Sequence, residues 1–147
     1  VDVGCVYLPA LNEMVWAGRG EGCWWNGRRA KVSETEKIED ACICFTSWMN
    51  FAASQRDAVW QGLTEKVRLV RGWGDCYGHI LVATGRADAS FDPAMNAWDC
   101  GPLLPILEEA GGTFTDWNGR STVRGKDAFS TNGRLLQTVL SELNSPQ

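Results

Sequence analysis

The stretch NAWDCGPLLPILEEAGGTFTDWNGR, residues 96–120, decides the fold of this chain. Asp99 precedes an apolar run, and an acidic residue in the first turn of a helix satisfies free backbone amides and complements the helix dipole. Pro102 is expected in that first turn, where proline is tolerated, whereas Pro105 lies deeper and should bend the helix. The run ends at residues 111–112, two glycines typical of a helix C-terminus. We therefore predict a helix that Asp99 opens and the glycine pair ends.

Patterning on both sides of this stretch predicts the remaining elements, because strands alternate with period two and helices with period 3.6. The predicted strands are 3–8, 13–17, a hairpin around Asn26 and Gly27, 41–45, 68–71, a half-buried strand over 87–91, 113–117 and 128–131. The predicted helices are 54–67 with a capping box of Ser54 and Asp57, one from Asp75 to Gly85, the one opened by Asp99, and one capped by Asn132. The tail, residues 144–147, is expected to fray.

The order of these elements predicts the fold class. From residue 41 onward strands and helices alternate, which indicates a layered α/β unit. Residues 1–32 contain only hairpin strands. We therefore expect an α/β fold with two parts, a hairpin region over 1–32 and an α/β domain over 33–147.

Composition excludes several classes of function. The formal net charge of the 147 residues is −4, which gives no electrostatic attraction to nucleic acid or to an anionic membrane. None of the six cysteines forms a CxxC pair and there is one histidine, so the sequence does not support a zinc site. We expect the cysteines to be reduced. Reduced cysteines are typical of the cytoplasm, and we therefore expect a cytoplasmic protein.

Asp99 allows a structural and a functional interpretation. As a structural residue it caps the helix. As a functional residue it would also hold a hard cation such as Mg²⁺, which prefers carboxylate oxygens, while the helix N-terminus attracts a phosphate. At the other end of the helix, Glu108 and Glu109 are expected to face solvent.

Other polar residues could face the same ligand. Asp92 lies at a strand end, where it either initiates a turn or faces the hydroxyl groups or the cationic group of a substrate. Asp75 is expected to cap a helix, while the loop that contains Gly74 offers backbone amides to a polar ligand. His79 is expected to be a packed or surface residue rather than a ligand.

The stretch 96–120 resembles the inositol monophosphatase superfamily, whose members carry a WD-x-(A/G)-A-x-x-x-(L/I)-x-x-EAGG motif. The matching residues are Trp98, Asp99, Leu104, Ile106, Glu109, Ala110, Gly111 and Gly112. The resemblance extends to GCVYLPALNEMVWAGRGEGCWWNGRRAKVS and LVATGRADASFDP, so nearly the whole chain is covered. GDCY at 74–77, the Asp-Pro pair at 92–93 and TDWNG at 115–119 are most similar to the histidinol-phosphatase branch.

This resemblance implies a Mg²⁺-dependent phosphomonoesterase acting on a small phosphorylated substrate. It implies the layered α/β/α C-terminal domain of the inositol monophosphatase fold, preceded by an antiparallel hairpin region that belongs to the N-terminal sheet. Asp99 would be a metal ligand, and Asp92 would contact the non-phosphate part of the substrate, either the ammonium group of histidinol phosphate or the hydroxyls of inositol phosphate. Gly74 and Asp75 would form the substrate-side loop, and residues 47–50 are expected to border the site.

The sequence departs from the family pattern in one respect. The family's main metal motif, a D-P-(I/L)-D-G-T segment with an upstream glutamate, is absent. We therefore expect the chain to be the C-terminal part of such a phosphatase, with little or no activity alone, because two-metal phosphoryl chemistry needs cations on both the attacking and the leaving oxygens. The sequence leaves open whether the chain alone is an enzyme.

The alternative hypothesis is a truncated, non-catalytic remnant that serves as a folding or homo-oligomeric interaction module. Uncovered strand edges and exposed tryptophans in the hairpin region would then favour a homodimer. Trp24, Trp25 and Trp48 are the candidate interface or pocket residues. Neither hypothesis involves nucleic acid or a membrane as partner.

Overall fold

The computed structural model describes residues 1–144. The strands are β1 (Val3–Leu8), β2 (Glu13–Gly18), β3 (Gly22–Trp25), β4 (Arg28–Arg29), β5 (Cys42–Phe45), β6 (Leu69–Gly72), β7 (Ala89–Asp92), β8 (Thr113–Thr115) and β9 (Ala128–Thr131). The α-helices are α1 (Trp48–Ala53), α2 (Asp57–Thr64), α3 (Tyr77–Ala83), α4 (Ala97–Glu109) and α5 (Leu136–Leu143). Within these residues no helix has the length and apolar character needed to cross a bilayer. The predicted frayed tail lies, from residue 145 on, outside the described residues.

The strands form two sheets. The first is antiparallel with the order β1-β2-β3-β4, and the second has the order β6-β5-β7-β9-β8. In the second sheet β5 pairs in parallel with both β6 and β7, whereas β9 is antiparallel to β7 and β8. The predicted turn between β3 and β4 is confirmed, because Asn26 and Gly27 have φ values of 46° and 78°, as a two-residue hairpin turn requires.

Helices α3 and α4 lie between the two sheets, and the second sheet is covered on its other face by α1, α2 and α5. One core cluster joins the first sheet to α3 and α4, and includes Val15, Ile80 and Leu103. The second cluster lies on the opposite face of the second sheet and includes Phe91 and Trp60. This layering confirms the predicted α/β fold with a layered α/β/α part. The division at residue 32 stays a prediction, since the sheets fall on either side of it but one core cluster spans both.

The predicted helix over 54–67 is confirmed only in part, because α2 is shorter and a separate helix, α1, ends just before this range. Ser54 ends α1, and its hydroxyl donates to the Asn50 and Phe51 carbonyls instead of capping a new helix. Gln55 then has a φ of 58°, which a continuous right-handed helix excludes. Helix α2 begins only at Asp57, and the predicted capping box does not form.

The expectation of a half-buried strand over 87–91 is also wrong. All four residues of β7 are buried, since β7 is a central strand with β5 and β9 as neighbours. Ala89 and Phe91 pack in the second core cluster. Ser90 faces α3, where a Cβ on Gly78 would lie 2.4 Å from its hydroxyl oxygen.

Helix α4 starts earlier than the sequence predicts. Its first residue is Ala97, so Pro102 is the sixth residue and lies inside the helix with Pro105, not in the first turn. The glycine pair ends the helix as predicted, and Gly111 has a φ of 86°. The last helix, α5, also begins later than predicted, although the Asn132 side-chain oxygen accepts the Leu135 N–H at 3.1 Å.

The segment that joins the two sheets, residues 30–41, is held by the buried carboxylate of Asp88. Asp88 accepts hydrogen bonds from the Ser33 hydroxyl at 2.5 Å and from the Cys42 N–H at 2.6 Å. The Asn132 side-chain amide donates to Ser33 at 3.0 Å and to the Thr35 carbonyl at 2.8 Å. These bonds fix the segment against the second sheet, because each buried polar group in the network has a partner.

Candidate functional site

A cavity of about 460 Å³ opens where the carboxyl ends of the parallel strands meet the start of α4. Ligands commonly bind at this edge of α/β sheets. The polar residues that line the cavity are Thr46, Asn50, Asp75, Cys76, Asp92 and Asp99. Apolar walls come from β1 and α4, and Trp98, a residue that is 76% exposed, lies at the rim.

Asp92 is the most buried carboxylate of this cavity, with 5% of its surface exposed. It ends β7, and its Oδ2 accepts the Thr46 hydroxyl at 2.7 Å while its Oδ1 accepts the Ala94 N–H at 3.4 Å. Burial raises the pKa of the Asp92 carboxyl, the Thr46 and Ala94 donors lower it, and the nearby charges of Asp75 and Asp99 raise it. The ionisation of Asp92 in the cavity therefore depends on these neighbouring groups.

Asp99 performs the capping role that the sequence predicts and also faces the cavity. Its Oδ2 accepts the backbone N–H of Asn96 at 3.2 Å and the Asn96 side-chain amide at 3.3 Å, which is the acidic arm of a capping box. Among residues 1–144, Oδ1 of Asp99 accepts no hydrogen bond. One carboxylate oxygen thus holds the helix end while the other remains available to a ligand.

Asp75 reaches the same cavity, but not as a helix cap. Helix α3 begins at Tyr77, its N-cap is Cys76, and no side chain caps it. Asp75 has a φ of 54°, in the left-handed region, and it lines the cavity. Gly74 accepts the Tyr77 N–H through its carbonyl at 3.3 Å and is not a lining residue, so its proposed substrate contact stays a prediction.

The described residues hold only part of a metal site. Within 1–144, no three His, Cys, Asp or Glu side chains come together in a way that could hold a metal ion. Asp99 offers one free carboxylate oxygen, whereas Asp92 is already engaged by Thr46. A complete Mg²⁺ site, which usually combines several oxygen ligands, does not fit these residues alone.

Sequence reasoning located some lining residues and missed others. Asn50 lines the cavity, as expected for the 47–50 segment. Thr46 was not predicted, although its position directly after the carboxyl end of a parallel strand is a signal for a site residue. The β1 residues Cys5 and Val6 also line the cavity, and only the packing of β1 on α4 brings them there.

Two other predictions about polar residues have different outcomes. His79 is packed as expected, fully buried and outside the cavity lining, with its Nδ1 2.8 Å from the Ser130 hydroxyl. Glu108 is exposed as expected and Glu109 is partly exposed, but the Glu109 carboxylate also accepts the N–H groups of Gly20 and Gly22, each at 2.8 Å. These two donors hold the pKa of the Glu109 carboxyl below its usual range. The glutamate of the EAGG motif therefore ties the β2–β3 turn to α4.

Comparisons with known proteins agree with this fold. The model of the inositol monophosphatase family matches residues 1–145. The histidinol-phosphatase of Chlorobaculum parvum is 36% identical over 146 residues, which are 99% of this chain and 56% of that protein. The histidinol-phosphatase of Mycobacterium tuberculosis is 34% identical over 149 residues, which are 98% of this chain and 57% of that protein.

Solved structures show the same similarity. An inositol monophosphatase from Zymomonas mobilis superposes with a TM-score of 0.89 at 22% identity, over 98% of this chain and 58% of that one. The IMPase of Thermotoga maritima gives 0.87 at 29% identity, over 98% of this chain and 56% of that one. The chain thus spans a little over half the length of the relatives it matches. It belongs to the inositol monophosphatase family.

Proposed function

We propose that this chain is part of a Mg²⁺-dependent phosphomonoesterase. In that enzyme it would bind the alcohol part of the substrate and supply one ligand of the Mg²⁺ site. The observation that carries this proposal is the convergence of Asp75, Asp92 and Asp99 on one cavity. None of the described lining residues is Lys, Arg or His. A phosphate dianion would be repelled by these carboxylates unless cations lay between them.

In this proposal the residues have separate roles. Asp99 contributes one metal ligand, and the N-terminus of α4 faces the phosphate. Asp92 binds the alcohol part of the substrate, with Asp75 beside it. The remaining metal ligands come from outside residues 1–144, and we therefore expect little or no activity from this chain alone.

The charge of the cavity favours a substrate whose alcohol carries an ammonium group. Asp92 and Asp75, the carboxylates on the alcohol side, attract an ammonium group more strongly than neutral hydroxyls. Two relatives described above are histidinol-phosphatases, which agrees with this preference. We propose a histidinol phosphate-like substrate, with inositol phosphates as the weaker alternative. A cytoplasmic location stays a prediction.

A chimera tests the proposal. The matched 56% of the Chlorobaculum parvum histidinol-phosphatase is replaced by this chain, and phosphate release from histidinol phosphate is measured with and without Mg²⁺. We expect Mg²⁺-dependent release by the chimera and none by the isolated chain. In the chimera, Asp99→Asn should reduce the rate by a factor of roughly 100 or more, because metal stabilisation of the transition state is worth several kcal/mol.

The matched control is Asp57→Asn, which changes an aspartate in the first turn of α2 and should leave the rate unchanged. A folded chimera without phosphatase activity would contradict the proposed function. Turnover by the isolated chain would contradict the expectation that it is inactive alone.

The second candidate is a homo-oligomeric module, and an exposed apolar sheet face favours it. Val3, Tyr7, Met14 and Trp16 point outward from β1 and β2, and Trp16 stacks on Trp24 with ring centroids 6.1 Å apart. Within 1–144, β1 is paired on one side only. A second copy could pair with this edge by two-fold symmetry and cover the face.

Sedimentation of the isolated chain tests this candidate. We expect a dimer at micromolar concentration, and Trp16→Glu should make it monomeric because a charge would be buried in the interface. Trp98→Glu is the control, since this exposed tryptophan lies at the cavity rim and not on the sheet face. A wild-type chain that stays monomeric would rule the homodimer out.

A further inference from the structure

The register of two parallel strands places a hydroxyl beside the buried acid of the cavity. Phe45 of β5 lies opposite Phe91 of β7. The residues that follow them, Thr46 and Asp92, are therefore also neighbours, and the Thr46 hydroxyl donates to Oδ2 of Asp92 at 2.7 Å. Both residues line the cavity. Thr46 thus contacts the proposed alcohol-binding acid from the end of β5.

Asp92 has unused bonding capacity toward the cavity. A carboxylate has about four lone-pair positions, and Asp92 uses one for the Thr46 hydroxyl and one for the long bond from the Ala94 N–H. Among residues 1–144 no cationic side chain pairs with it. Thr46 and Ala94 thus hold the carboxylate by one oxygen each, and about two lone-pair positions remain for a ligand.

The Thr46 hydroxyl also favours the ionised form of Asp92. The titratable groups that face Asp92 are Asp75, Asp99 and the Cys100 thiol, and none of them stabilises a negative charge. Burial and the two carboxylates favour the protonated acid, whereas the hydroxyl and amide donors favour the carboxylate. Of these donors, the Thr46 hydroxyl makes the shorter bond.

We propose that Thr46 is a positioning residue for substrate recognition, which orients the Asp92 carboxylate and keeps it ionised so that it can bind the ammonium group of the substrate alcohol. This inference rests on the proposed function for the identity of the ligand. The contact between Thr46 and Asp92 does not depend on it. Threonine and serine can both fill this role, whereas valine has the same shape without the donor.

The test uses the isolated chain and L-histidinol as probe, in wild type, Thr46→Val and Thr46→Ser. We expect Thr46→Val to weaken histidinol binding about tenfold at neutral pH, as for loss of a hydrogen bond to a charged group. Thr46→Ser should restore the affinity. Thr138→Val, on the exposed surface of α5, is the matched control and should bind as wild type.

A second readout separates this inference from the proposed function. NMR titration of the Asp92 side-chain carbon should show a higher pKa in Thr46→Val than in wild type, and a wild-type value in Thr46→Ser. If wild type does not bind histidinol but this pattern holds, the substrate class is wrong and the positioning role stands. If Thr46→Val titrates as wild type does, the positioning role is overturned.

Discussion

Gly4→Ala is expected to destabilise the chain by about 3 kcal/mol or more, since forcing extra atoms into a packed core costs about that much or beyond when backbone blocks the site. A Cβ on Gly4 would lie 2.1 Å from the Pro102 carbonyl oxygen and 2.9 Å from the Pro105 ring. A carbonyl oxygen cannot rotate away as a flexible side chain does. The mutation must therefore push β1 and α4 apart.

This effect would be a large part of the total stability, because domains of this kind are stable by only about 5–15 kcal/mol. Urea unfolding, followed by far-UV circular dichroism and tryptophan fluorescence, measures it. The matched control is Gly62→Ala in α2, where a Cβ meets nothing within 4 Å. It should stabilise the chain by up to about 1 kcal/mol, because alanine favours helix more than glycine does.

The contact between Gly4 and α4 also matters for the cavity. Cys5 and Val6 follow Gly4 along β1 and line the cavity opposite the start of α4. Separation of β1 from α4 would therefore widen the candidate site as well as weaken the fold. A Gly4→Ala chain as stable as wild type would mean that β1 does not lie against α4 as described.

Local sequence signals predicted those features that depend on neighbouring residues. Asn26 and Gly27 predicted a tight turn because both can adopt positive φ, and both do. Gly111 ended α4 for the same reason. The alternation in the hairpin region predicted β1 and β2 correctly.

Features that depend on distant residues were missed. Helix α1 has only one fully buried residue, Phe51, whose ring stacks on Trp60 of α2 with centroids 4.4 Å apart. That contact stabilises a separate short helix that the local pattern does not indicate. The burial of β7 likewise follows from its central place between β5 and β9, which one strand's sequence cannot reveal.

The same contrast between local signals and distant contacts holds for the candidate site. The resemblance to the inositol monophosphatase superfamily pointed to Asp92 and Asp99, and the structure brings both to one cavity. Thr46 could be identified as a site residue only from the register between β5 and β7, which is set by the whole sheet. The hydrogen bonds that Glu109 accepts from Gly20 and Gly22 were not predicted, because these partners lie almost ninety residues away in the chain.

Mild acid should destabilise the chain because of His79. This residue is fully buried, and burial lowers its pKa from 6.5 to about 4. Its Nδ1 lies 2.8 Å from the Ser130 hydroxyl, its ring packs edge-on against Phe114, and its Nε2 has no hydrogen-bond partner among the described residues. The fold therefore holds this imidazole in its neutral form.

The sign of the effect follows from proton binding. The unfolded chain binds a proton at His79 below about pH 6.5, whereas the folded chain does so only near pH 4. Between these values the unfolded state binds more protons, so the free energy of unfolding falls as the pH falls. The loss should be about 2 kcal/mol between roughly pH 7 and pH 5 and about 3 kcal/mol by pH 4.

His79 is the one histidine of the chain, which makes the measurement specific. Urea unfolding at a series of pH values gives the slope, and His79→Gln should remove most of it because glutamine can still bond to Ser130 but does not titrate. Asp92 acts in the opposite direction, since its raised pKa in the folded state recovers stability as the carboxyl is protonated. An equal slope in wild type and His79→Gln above pH 5 would mean that the imidazole is solvated and that the packing of α3 against β9 is looser than described.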